Sequence, residues 1–408
     1  MKIYFITSKM RDPDAVVASG SVIELDYMMR ELQRLGHEIV CVTAFSKFNE
    51  LTRPLPYKII AEDLGTSRLI PLQLGIRQLL RKYENEADIF HIDGQYLYGG
   101  GLYRLLGGKI PVVAYLIRPP LVKDEFVSLV FNKLFPKGNY SLSGLVVTIK
   151  KRIRWCIERL IFTPLVASNV DFVTSITPLL LQEHYDFGLR PARHGLNIGD
   201  TYPIDEQMQR AGFTPRMYAD HAGTQDKVTL YYSGRMAPGK GYDLLLAGFA
   251  KVKKKECFHL VLGGSGPEEP LVRQTIADFK LEPYVELTGW VPREKYYNYL
   301  RQTDIYVFTR WGTTLSALSL VEVTSFGIPS IVPAGTGLAW VAGPGALTFE
   351  PENPDDLARK IEQLGSDLQL RLELSRRAQE RMRQPDIDPR QTIVALTVVM
   401  KSLITQPQ

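Results

Sequence analysis

Cysteine is scarce: three in 408 residues, at positions 41, 156 and 257. So few, in odd number and each inside an apolar element, they exclude a disulfide scaffold and predict reduced core thiols in a cytoplasmic protein. No apolar run approaches the length of a membrane span, so any membrane role is expected to be peripheral. The opening residues MKIYFITSKMRDP have too short an apolar stretch for a signal peptide, and no small-residue cleavage site follows. Charge of one sign is not in excess. Net charge is +5, which suits anionic small molecules or an anionic membrane face and is too weak to argue for nucleic acid. What is present is an ordinary globular composition, 45% hydrophobic and 23% charged, with length enough for two domains.

The stretch from Val228 to Ala250 organises the rest. Val228 to Tyr232 is an apolar run rich in β-branched and aromatic residues, which predicts a buried strand. The turn Ser233 to Gly241 follows, carrying Gly234, Arg235, Gly239 and Lys240. Leu244, Leu245, Phe249 and Ala250 then recur at helical spacing, with Asp243 in the first turn. A strand, a glycine-bearing turn and a helix N-terminus make a phosphate-sized hole, and Arg235 and Lys240 flank it. An ordinary strand-to-helix turn with exposed basic residues would read the same way. The turn falls short of a Walker A loop because Gly241 occupies the place of the magnesium-binding Ser or Thr.

Before this stretch, apolar runs alternate with amphipathic ones. Strands are predicted at 3–7, 39–43, 88–93, 111–116 and 171–175. Helices are predicted through Leu25 to Leu32, over 72–83, from about Leu102 after Gly99-Gly100-Gly101, and from Thr177-Pro178. That alternation means a parallel, doubly wound α/β sheet whose ligands collect at the carboxyl ends of its strands. Asp93 ends one strand and Arg118 follows another. Residues 121–160 break the rhythm with interleaved cations and large apolar side chains. They read either as a basic amphipathic segment for an anionic membrane surface or as core helices with a solvated basic face. Residues 194–225 lack periodicity and are expected to be a linker and loop.

After the turn come a strand at 258–262 with Gly263-Gly264-Ser265-Gly266, a strand at 284–288 with Gly289-Trp290-Val291, and a strand at 304–308. A helix about Ser316–Phe326 and a last clear strand at 328–332 complete the pattern, followed by helices at 355–364 and 368–383 and an apolar closing helix at 392–403. A glycine turn after a strand lets a ligand approach the backbone. Trp290 reads as a platform for a flat base or as packing. Glu322, on a partly apolar helix, needs a hydrogen-bond partner: ribose hydroxyls, a structural Arg or a backbone amide.

In series, SGRMAPGKGYDLLLAGF, HLVLGGSGP, VELTGWVP, DIYVF, LSLVEVTSFGIPSIV and GALTFEPENPDDLARKI resemble the retaining, GT-B type glycosyltransferases of family 4. MKIYFIT, RELQRLGHEIVCVTAF and ADIFHID are similar more loosely. The resemblance implies two Rossmann-like doubly wound domains facing a cleft. They are expected at 1–195, for the acceptor, with an insertion at about 121–165, and at 196–385, for the nucleotide sugar. A closing helix at 386–408 is expected to return to the first. By resemblance, Arg235 and Lys240 hold the donor diphosphate and support it as leaving group. Glu322 binds ribose, the amides near Leu318-Ser319 meet the phosphates, and Gly20 lies beneath donor and acceptor. Gly234, Gly264 and Gly266 line the donor, Trp290 and Val291 lie near the base, and Asp93 and Arg118 are candidates for acceptor or sugar.

The activity implied is transfer of a sugar, with retention, from a UDP- or GDP-linked donor to a glycan or lipid-linked acceptor. It belongs to cell-envelope or polysaccharide synthesis, in the cytoplasm or peripherally on the inner face of the plasma membrane. No metal and no resident cofactor are expected. The family's first motif Glu falls on Thr314 when counted from Glu322, or on Thr313 when counted from Asp304. A His expected after Leu116 is replaced by Ile117 and Arg118. A non-catalytic partner subunit of the same fold, a sugar-nucleotide epimerase and a phosphorylase are the alternatives.

Overall fold

The computed structural model describes residues 1–13, 20–120, 152–310 and 314–405. They form two compact units, Met1–Ile198 with Thr392–Gln408, and Gly199–Gln391.

The first unit runs β1 (Lys2–Thr7), α1 (Gly20–Arg34), β2 (Glu38–Thr43), β3 (Lys58–Ala61), α2 (Leu69–Lys82), β4 (Ile89–Asp93), α3 (Leu97–Leu105) and β5 (Val112–Leu116). A helical stretch at 152–165 follows, then β6 (Phe172–Ser175), α4 (Pro178–Asp186) and β7 (Leu196–Asn197). The seven strands form one sheet in the order β3-β2-β1-β4-β5-β6-β7, all parallel. Continuous apolar strands such as Ile3 to Ile6 and Val112 to Leu116 are buried, as a parallel sheet covered on both faces requires. The order reverses between β1 and β4, and this opens a crevice at their carboxyl ends.

Gly99, Gly100 and Gly101 lie inside α3 rather than ahead of it. A Cβ on Gly100 would stand 2.5 Å from Ile92 Cδ1, and one on Gly101 would stand 2.0 Å from the Val166 carbonyl oxygen. The three glycines let the helix sit close against its neighbours, a tertiary demand that overrides helix propensity.

The second unit opens with α5 (Ile204–Ala211) and α6 (Met217–His221). It continues through β8 (Val228–Ser233), α7 (Tyr242–Lys251), β9 (Phe258–Gly263), α8 (Glu269–Asp278), β10 (Val285–Gly289), α9 (Arg293–Arg301) and β11 (Ile305–Val307). The rest is α10 (Leu318–Ser325), β12 (Ser330–Pro333), α11 (Gly337–Ala342), β13 (Ala346–Phe349), α12 (Pro354–Ser366) and α13 (Leu368–Arg381). Its six-stranded parallel sheet runs β10-β9-β8-β11-β12-β13, reversing between β8 and β11. α14 (Pro389–Thr405) closes the chain, and from Thr392 on it packs in the first unit, where Arg193 Nη1 donates to Ser402 Oγ at 2.8 Å.

Residues 194–225, expected to be irregular, contain β7, α5 and α6. These elements are short and carry few apolar anchors, so no period shows. Phe213 stacks on Phe326 with ring centroids 4.0 Å apart, and the Tyr218 hydroxyl donates to the Asp304 carbonyl at 2.7 Å. The short strands β3 and β13 were likewise not expected. Cys41 is buried as expected, whereas Cys257 is exposed at the edge of β9. Among the described residues no helix is long and apolar enough to cross a membrane.

Candidate functional site

The turn between β8 and α7 is a rigid object. The Tyr232 hydroxyl donates to the Lys240 carbonyl at 2.7 Å, and the Tyr242 hydroxyl lies 2.7 Å from the Gly234 carbonyl and 2.8 Å from that of Gly263. Thr309 Oγ1 donates to the Gly241 carbonyl at 2.7 Å. Gly241 caps α7 with φ +79°, and a Cβ there would stand 2.6 Å from the Thr309 backbone. The glycine turn after β9 lies against this one, with Met236 N donating to the Ser265 carbonyl at 2.9 Å and Gly264 N to the Gly289 carbonyl at 2.8 Å. A Cβ on Gly266 would stand 2.3 Å from the Met236 carbonyl oxygen. The sequence pointed to the glycines, but Tyr232, Tyr242 and Thr309 went unnoticed. Their hydroxyls satisfy carbonyls that only the folded turn brings near.

Arg235 is exposed on this turn and Lys240 is half-buried. Arg310, which sequence reasoning missed, joins them. It follows β11, the strand beside β8 at the point where the sheet order reverses, and the Thr309 backbone touches Gly241. Burial pushes the Lys240 ammonium down from its usual pKa, and the guanidinium groups of Arg310 and Arg235 push it the same way. None of the three cations has an ion-pair partner among the described residues. Clustered cations without a counterion are an anion site waiting for charge, and the first amides of α7, which have no partner within the helix, face the same end.

Glu322 is buried in α10. Its Oε1 accepts from the Tyr202 hydroxyl at 2.8 Å and from Arg293 Nη2 at 2.9 Å. Arg293 also donates to Tyr297 and Gln207, at 2.6 and 2.7 Å. Burial raises the carboxyl's pKa, while Arg293 and the tyrosine hydroxyls oppose that rise. Ahead of α10, the Thr314 and Leu315 carbonyls lie where a Cβ on Gly337 would stand, 2.4 Å from each. Ser316 Oγ donates to Asp200 Oδ1 at 2.8 Å, and burial pushes the Asp200 carboxyl up to about 7. Leu318 and Ser319 open the helix after Ala317, which gives no side-chain cap. Thr313 lies outside the described residues. Trp290 is 53% exposed, so it is not core packing. Val291 is half-buried beside it.

In the first unit, Gly20 is the first residue of α1 rather than a loop residue. Asp93 and Arg118 share a pocket of about 300 Å³ at the reversal of the sheet, together with Ser8, Lys9, Tyr115 and His184. Thr7 Oγ1 donates to Asp93 Oδ2 at 2.9 Å, and burial pushes Asp93 up to about 6 against the pull of Thr7, Ser8 and Arg118. His184 Nε2 lies 2.8 Å from the Arg118 carbonyl, and burial pushes its pKa down to about 4. Of the 121–160 segment, residues 121–151 lie outside the described residues. Beyond them, Ile153, Ile157 and Leu160 are exposed along the helical stretch.

Residues 216–381 match the family described as Glycosyl transferases group 1. Mannosylfructose-phosphate synthase of Agrobacterium fabrum is 26% identical over 360 residues, spanning 84% of this chain and 78% of that protein. A glycosyltransferase from Rickettsia africae superposes with TM-score 0.68 at 14% identity, covering 99% of both chains. Anabaena Alr3699/HepE, solved in complex with UDP, superposes with TM-score 0.62 at 16% identity, covering 98% of this chain and all of the other. The chain has the two Rossmann-like units of the GT-B fold, and within its second unit residues 216–381 match the model of glycosyl transferases group 1.

Proposed function

We propose that this protein moves a sugar from a nucleotide-sugar donor to a glycan or lipid-linked acceptor, with retention of anomeric configuration, in cell-envelope or polysaccharide synthesis. The observation that carries this reading is the pair of cations, Arg235 and Lys240, with no counterion among the described residues, on a tyrosine-braced turn at the start of α7. They grip the donor diphosphate and stabilise it as it departs, as preorganised charge does without reorganising in the reaction. Glu322 Oε2, which neither Tyr202 nor Arg293 takes, accepts from the ribose hydroxyls. Trp290 lies beside the base, and the amides of Leu318 and Ser319 serve the phosphates. The acceptor enters the first unit's pocket beside Asp93 and Arg118. A UDP-bound neighbour favours a uridine donor for this chain as well.

Isothermal titration with UDP, GDP, UDP-glucose and GDP-mannose tests the reading. The wild-type chain is expected to bind at least one, and the double variant Arg235→Ala, Lys240→Ala to bind none. Undiminished binding by the double variant would refute the assigned site.

A further inference from the structure

We propose that Arg310 is a catalytic residue which answers the charge that appears on the leaving diphosphate, and not the charge of the intact donor. The proposal rests on the diphosphate site assigned above, and it goes further by dividing that site's cations between two tasks.

Position comes first. The second unit's sheet reverses between β8 and β11, and a reversal is where an α/β sheet opens to a ligand. The strand on one side delivers Arg235 and Lys240. The other delivers Arg310, through a Thr309 backbone that touches Gly241 and a Thr309 hydroxyl that donates to the Gly241 carbonyl at 2.7 Å. The residue before Arg310 is thereby held against the residue after Lys240. The two strands also pair, Ile305 with Leu230 and Tyr306 with Tyr231, so the placement belongs to the sheet and not to a free loop.

Charge comes second. Arg235, Lys240 and Arg310 are half-buried or exposed and have no acidic partner among the described residues, and the charges of both Arg310 and Arg235 bear on the Lys240 ammonium. A diphosphate esterified at both ends has one ionisation on each phosphate, and Arg235 and Lys240 balance it. When the bond from the anomeric carbon to the phosphate oxygen breaks, its electron pair stays on that oxygen. The acceptor's hydroxyl oxygen supplies the new bond to the anomeric carbon. Its proton passes to the departing phosphate and then to water. The terminal phosphate now has a second ionisation with a pKa of about 6 and carries roughly −1.5 to −2 at neutral pH. A third cation has work to do only there. An interaction stronger with the departing group than with the bound donor raises the rate of the chemical step, whereas one equal in both states only tightens binding.

The experiment compares the full chain with Arg310→Gln and Arg310→Lys, titrating each with UDP and UDP-glucose, and with GDP and GDP-mannose if the wild type prefers guanosine. Arg310→Gln is expected to weaken the nucleoside diphosphate by about tenfold or more while changing the intact nucleotide sugar by less than about threefold. Arg310→Lys, which keeps the charge, is expected to recover most of the loss. Equal weakening of both ligands, or of neither, overturns the proposal and leaves the site reading intact. A wild-type chain that binds no nucleotide at all overturns both.

Discussion

Gly264 stands so near Gly234 that a Cβ on it would lie 1.8 Å from the Gly234 carbonyl oxygen, with φ at +107°. The two glycine turns of the second unit are therefore pressed backbone on backbone, and the turn between β8 and α7 takes its shape from the turn after β9. Gly264→Ala must both strain φ and push the turns apart. Such a change is expected to cost about 1–3 kcal/mol of stability and to weaken nucleotide binding. Urea denaturation and titration with the preferred nucleotide check both. A variant as stable and as tight as wild type would mean the turns move independently.

The strand, turn and helix around Arg235 and Lys240 were legible because they lie within one continuous stretch, each with its own period. Glu322 was legible as a carboxylate out of place on an apolar helix, but its partner was not. Arg293 comes from a helix two elements earlier, and only the folded unit sets them 2.9 Å apart. Arg310 was hidden for the same reason. A lone arginine after a short strand carries no signal until the sheet order places β11 beside β8. The glycines of α3 misled for the opposite reason. A glycine run reads as a loop by local propensity, and here it marks a helix held close by its neighbours.

The Arg293–Glu322 pair separates support from recognition. Removing one partner of a fully buried ion pair costs about 3–5 kcal/mol. The Arg293 side chain is 43% exposed, however, so water screens part of that interaction. Arg293→Met is therefore expected to lower stability by about 1–2 kcal/mol, less than full burial would give. Glu322→Gln keeps the shape and the Tyr202 contact. It is expected to leave the melting temperature within a few degrees of wild type while weakening nucleotide affinity by about tenfold, the value of one charge-assisted hydrogen bond. Differential scanning fluorimetry and titration on the same samples decide the matter. A large loss of stability in Glu322→Gln with unchanged affinity would make Glu322 a structural residue and remove it from the donor site.

The helical stretch 152–165 presents Ile153, Ile157, Leu160 and Leu165 to solvent, with Leu160 69% exposed, at spacings that keep them near one face. Arg152, Arg154 and Arg159 stand among them, and Glu158 neutralises only Arg154, at 2.6 Å. An apolar ridge flanked by cations suits the boundary between lipid headgroups and acyl chains of an anionic leaflet. Each cation adds about 1 kcal/mol near such a surface. Burying a large aliphatic side chain adds about 1.5–3 kcal/mol. The full chain is therefore expected to sediment with phosphatidylglycerol vesicles and not with pure phosphatidylcholine vesicles. The double variant Ile157→Glu, Leu160→Glu is expected to lose at least tenfold in vesicle affinity while keeping its nucleotide affinity, because neither residue belongs to the second unit. Equal sedimentation of variant and wild type would show that this ridge does not meet lipid.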